Sequence, residues 1–111
     1  MRLYLKKERI GVNAVAEYDM DKRTFTVLKE SKISDDISLA STFRSANSVK
    51  KWRTEYVIKN KLINDITFQS PSTAANFVTG RSTNGLVAWK NEKGQILREL
   101  LNESKIDEDN E

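Results

Sequence analysis

Residues 2–6 alternate apolar and polar side chains, the two-residue period of a short strand. Residues 12–18 and 24–28, rich in β-branched and aromatic side chains, read as a second and a third strand. Between these two, residues 19–23 hold only Met20 as an apolar side chain, which predicts a hairpin loop and antiparallel neighbours. Ser, Asp, Ala and Asn dominate residues 30–47, and a long surface connection pinned by Ile33, Ile37, Leu39 and Phe43 is expected there. The period then changes. Over residues 48–59, Val49, Trp52, Tyr56 and Val57 fall on one face, predicting the best helix of the chain. Asn60 suits a left-handed residue at its end, and Leu62 and Ile63 would return to the core.

Residues 66–68 form a short apolar strand pattern, followed by the strongest local signals in the sequence. Ser70 before Pro71 reads as a helix N-cap with proline at the first helical position, where a missing N–H costs nothing. Gly80 would end that helix, because a left-handed residue is cheap only without a Cβ. Asn84-Gly85 reads as a tight turn leading into a strand over residues 86–90, in which Trp89 faces the core and Lys90 faces away. A turn at residues 91–94 precedes a closing helix over 95–101, with Ile96, Leu97, Leu100 and Leu101 at helical spacing. These elements predict an α+β fold: a small, mostly antiparallel sheet with about three helices packed on it.

Composition narrows the chemistry. The chain is 111 residues long, which fits one domain, read as residues 1–101 followed by an acidic, disordered tail at 102–111. It has neither cysteine nor histidine, so disulfides, thiolate or imidazole zinc sites and histidine-dependent triads are excluded. No apolar run reaches membrane-spanning length and charge interrupts the start too early for a signal peptide, so a cytoplasmic protein without a membrane partner is expected. The formal net charge of +3 hides an asymmetry: +7 through residue 101 and −4 beyond it. A basic body favours polyanionic partners.

The run Ser70-Pro71-Ser72 with Ala74-Ala75, then Gly80-Arg81-Ser82, Asn84-Gly85, Trp89-Lys90, Gly94 and Leu97, resembles a small domain of unknown function found C-terminal to GIY-YIG-type nucleases and in restriction-linked proteins. It is similar to the RAMA domain, named for restriction enzymes and adenine methylases. Residues 25–29 with Ser31, and Arg53 followed by Leu62, extend the resemblance upstream. Glu30 and Asn60 stand where that family tends to have glycine, and the GIY-YIG catalytic motifs are absent. The resemblance implies a DNA-associated accessory module that reads or tolerates modified bases.

The residues themselves offer three candidate surfaces. The helix N-terminus with Ser70, Ser72 and Thr73 has the donors and the dipole to hold a phosphate, although capping alone accounts for the same residue types. In the following turn, Arg81 and Ser82 suit phosphate and Asn84 suits an adenine edge, with Lys90 nearby; an ordinary turn needs Asn84 but not Arg81. Lys50, Lys51 and Lys61, with Lys59, make a basic rim by the long helix, equally readable as a solvated face. Trp89 is weighed as core against a stacking platform, and core is favoured. Glu30-Ser31-Lys32 has the Glu-x-Lys spacing of metal-dependent nucleases, with Asp19 or Asp21 upstream, but no further convergent acid or base accompanies it. The expected function is therefore non-catalytic DNA binding in a restriction, nuclease or mobile-element setting, with no cofactor. The alternatives are a protein–protein adaptor that recruits a nuclease or methylase and, more remotely, a metal-dependent nuclease.

Overall fold

Alternating burial along the N-terminal strands builds the sheet. In a computed structural model that describes the backbone of residues 1–109 and side chains through Glu103, β1 (Arg2–Lys7) and β2 (Val12–Asp19) are joined through a 3-10 turn, Glu8–Ile10. β3 (Thr24–Val27) follows by the expected hairpin, and β6 (Ile66–Phe68) completes an antiparallel sheet of order β1-β2-β3-β6. Registers such as Leu3↔Ala16, Ala16↔Val27 and Val27↔Ile66 put the small and branched side chains of all four strands on one face. That face is buried, and Leu3, Ala14, Ala16, Phe25 and Val27 have no accessible surface.

Helix α2 (Pro71–Thr79) lies on this face and supplies Ala74, Ala75, Phe77 and Val78 to the core. Its local signals work as expected. Ser70 Oγ accepts from Thr73 N–H at 3.1 Å, Pro71 stands in the first turn, and Gly80 ends the helix at φ 72°. Losing one cap costs about 1 kcal/mol. Ser70→Ala is therefore expected to lower the unfolding free energy by about that amount, read from a urea melt.

Helix α1 (Ala46–Tyr56) packs beside α2, with Trp52 edge-on to Phe68 at 5.1 Å between ring centroids. It is shorter than its periodicity suggests. The β-branched pair Val57-Ile58 leaves the helix and forms β4 (Val57–Ile58), which turns back into β5 (Lys61–Leu62). Lys59 and Asn60 make that turn with φ of 51° and 64°, so Asn60 is left-handed as expected but in a two-residue hairpin rather than a helix cap. Of the residues expected to pin the connection before α1, Ile33 and Phe43 are buried and Ile37 is half-buried. Leu39, by contrast, is fully exposed.

The largest departure lies after Gly80. The apolar run expected to be a strand is instead a single helical turn, α3 (Gly85–Ala88), and Asn84 is its N-cap, accepting from Leu86 N–H at 3.0 Å. Only Lys90 pairs in strand fashion, bridging Tyr4 on β1 and Ile96. Trp89 still points inward with no exposed surface. It packs on Phe25 at 4.9 Å and donates its indole N–H to Pro71 O at 3.0 Å, so the stacking-platform reading is overturned. Helix α4 (Leu97–Asp109) closes the fold, with Leu97 buried and Leu100 and Leu101 packed against the core. The tail expected to be disordered begins within α4; residues 110–111 lie outside the described residues.

Candidate nucleic-acid interface

Two of the three candidate surfaces change character once the chain is folded. At the N-terminus of α2 the start of α3 occupies the space an anion would need. Gly85 N–H donates to Ser72 Oγ at 2.9 Å, and Ser70 Oγ and Thr73 Oγ1 are 2.8 Å apart in a mutual hydrogen bond. A Cβ on Gly85 would lie 2.3 Å from the Pro71 carbonyl carbon and 2.5 Å from Ser72 N, which measures how tightly α3 seals that helix end. Ser70, Ser72 and Thr73 are thus partnered within the fold.

The basic rim is dispersed. Lys50 is exposed on α1, and Lys51 borders a depression with Trp52, Tyr56 and Thr67. Lys61 sits on the β4–β5 hairpin, 3.6 Å from Glu30, and lines a different depression with Lys32 and Lys59. None of Lys50, Lys51 and Lys61 borders the groove described next.

Arg81, Ser82, Asn84 and Lys90, by contrast, are brought together. They line a groove of about 690 Å³ whose other wall is β1, contributing Tyr4, Lys6 and Lys7. Lys90 and Tyr4 exchange backbone hydrogen bonds of 2.7 and 3.0 Å, so this short bridge clamps the two walls together. Arg81 is half-exposed; its Nη2 meets Asp36 Oδ1 at 3.3 Å and its Nε donates to Thr79 O at 3.3 Å. Asn84 has its side-chain oxygen committed to the α3 cap. Reading adenine through both atoms of the amide would require giving that cap up. Glu92 is the one acidic residue among those lining the groove, against four cations.

Arg53 is the residue whose importance the sequence reading passed over. Its Nε and Nη2 donate to Phe77 O at 3.2 and 2.8 Å, its Nη1 to Ser34 O and Asp36 O at 2.9 and 3.2 Å, and its Nη2 also to Ser34 Oγ at 2.9 Å. One guanidinium thereby satisfies the free carbonyl of the last turn of α2 and fixes the loop that carries Asp36, the partner of Arg81. Burial lowers it to about 10, opposed by Asp36 and Asp35, so it stays cationic at neutral pH. The signal was present: Arg53 lies four residues after Val49 and one after Trp52, inside the apolar stripe of α1.

The Glu-x-Lys segment gathers no acids. Ser31 is buried, its Oγ accepting from Val15 N–H at 3.0 Å, and Glu30 turns toward Lys61. Among the described residues no group of three or more acids is placed to hold a metal ion. No described helix is long and apolar enough to cross a membrane.

A family profile described as a domain of unknown function, DUF4357, matches residues 3–101. The chain belongs to the DUF4357 family. The matched span takes in every element from β1 to the first turn of α4, so both walls of the groove belong to the DUF4357 domain. No curated protein and no solved structure matches the chain.

Proposed function

We propose that this DUF4357 domain is a non-catalytic DNA-binding accessory module of cytoplasmic restriction, nuclease or mobile-element systems. In this reading it works beside a nuclease or methylase partner and senses modified DNA. The observation that carries the reading is the groove between β1 and the residues after Gly80, which Lys6, Lys7, Arg81 and Lys90 line together with the neutral donors Ser82 and Asn84. Four cations line the groove with Glu92. Arg81 and Lys6 meet the exposed acids Asp36 and Glu8, and Lys7 and Lys90 have no acid within 4 Å among the described residues, which favours phosphate. The short polar side chains among them suit base edges. The resemblance to domains accompanying GIY-YIG nucleases and adenine methylases supports the choice of DNA among polyanions.

A mobility-shift panel of unmodified and adenine-methylated duplexes at several salt concentrations tests this. Arg81→Ala is expected to weaken binding to every duplex and to reduce the salt slope by about 0.9, one phosphate's worth. Asn84→Asp retains a capping oxygen but replaces the amide N–H₂ with an acceptor, so it should alter preference among bases. Unchanged affinity and slope in both variants would remove the groove from DNA binding and leave the adaptor reading in its place.

A further inference from the structure

The sheet has a second face, and its side chains line up across the strands. In antiparallel pairs, residues directly opposite each other project to the same side. Lys6 pairs with Asn13, Asn13 bridges to Lys32, and Lys32 bridges to Lys61, so these four form one transverse row. Each is exposed, and each is flanked in sequence by a buried residue: Leu5, Val12 and Ala14, Ser31 and Ile33, and Leu62. One step along β1 from Lys6, Tyr4 projects to the same side, 37 % exposed, with Lys90 directly opposite it. The row crosses three strand spacings, about 14 Å of sheet.

Helix α2 packs on the buried face, and the exposure of the row shows that no described element covers it. Three acids stand beside the row: Asp35, which borders the same depression as Lys32 and Lys61, accepts from Asn60 Nδ2, Glu8 pairs with Lys6 at 3.5 Å, and Glu30 pairs with Lys61 at 3.6 Å. Such pairs hold little free energy and exchange readily for a phosphate. Lys32 and Lys90 have no acidic partner within 4 Å among the described residues. Glu17, further along the same face, is taken by Arg2.

We infer that this open face binds single-stranded DNA, with phosphates tracking along Lys6, Lys32 and Lys61 and one unstacked base lying on the Tyr4 ring. An open basic sheet face with an exposed aromatic matches a single strand, whose bases are free to stack on a side chain, better than a duplex, whose bases are not. Lys6, Lys90 and Tyr4 also border the groove, so the strand would run out of the groove and over the sheet. The inference rests on the DNA-binding reading and specifies the strand state and path.

Fluorescence anisotropy with a labelled oligothymidylate of about 12 nucleotides, and with a duplex of the same length, tests it between about 50 and 200 mM salt. The single strand should bind the full chain more tightly than the duplex. Lys32→Ala with Lys61→Ala should flatten its salt slope by about 0.7 per lysine. Tyr4→Leu should weaken single-strand binding about tenfold, while Tyr4→Phe restores it, since the ring and not the hydroxyl does the stacking. Circular dichroism and urea midpoints establish that the variants are folded. Single-strand binding that is no tighter than duplex binding, or that ignores Tyr4, Lys32 and Lys61, overturns this inference. Duplex binding that depends on Arg81 then leaves the groove reading standing. Binding to neither form overturns both.

Discussion

Arg53→Met is expected to lower the unfolding free energy by about 3 kcal/mol or more, a large part of the total for a domain of this size. Methionine keeps the aliphatic packing beside Trp52 but removes every donor. The carbonyls of Phe77 and Ser34 then lose their partner inside the fold, and Asp36 O keeps only the Ser34 hydroxyl. Hydrogen bonds to a charged group contribute about 1.5–3 kcal/mol each, though bonds sharing one side chain do not add in full. Arg53→Lys should restore only part of the loss, because one ammonium cannot occupy the three separate directions used by Nε, Nη1 and Nη2. Urea midpoints of the three proteins check this ranking. A Met variant as stable as the parent would mean that water replaces the guanidinium at no cost. The Arg53 variants should also weaken whatever binds Arg81, since Asp36 is held from both sides.

The second large effect comes from the smallest change. Gly85→Ala is expected to destabilise the domain by about 3 kcal/mol, the upper end for overpacking a tight contact. Intrinsic propensity alone argues the opposite sign, since Gly85 opens α3 without a positive φ and alanine is the better helix former by about 1 kcal/mol. The contact decides: the new Cβ would sit 2.3 Å from the Pro71 carbonyl carbon and 2.4 Å from its oxygen, both backbone atoms of the α2 N-terminus. Separating α2 from α3 would also lengthen the bond from the Trp89 indole to Pro71 O. Trp89 emission should therefore shift to longer wavelength in the folded variant, and a urea melt gives the loss of stability. A stabilised Gly85→Ala protein would show that the two helices are free to move apart.

Gly85 also marks where the sequence stopped being legible. Residues 86–89, Leu-Val-Ala-Trp, form a short apolar run, and such a run after Asn-Gly carries the pattern of a strand leaving a turn. What makes it a helical turn is the fit of Gly85 against Pro71, a contact thirteen residues and more away that no local pattern encodes. The same contact closes the proposed anion site at the α2 N-terminus, so one long-range fact accounts for both departures. Helix α2 itself was legible because Ser70, Pro71 and Gly80 act through their own backbone geometry. Likewise, the β2–β3 hairpin was legible because its loop holds only one apolar residue. The C-terminal wall of the groove, Arg81 to Lys90, was named from sequence. Its other wall was not, because the bridge between Tyr4 and Lys90 joins residues at opposite ends of the chain.

That bridge has a kinetic consequence. β1, β2 and β3 pair through short loops, whereas Tyr4 and Lys90 meet only after the 85 residues between them have been gathered in. The groove is therefore a late product of folding: until residues 81–90 have packed, β1 has no opposing wall. Any affinity built on both walls is switched on by completion of the fold, and partly made chains would not compete for the ligand.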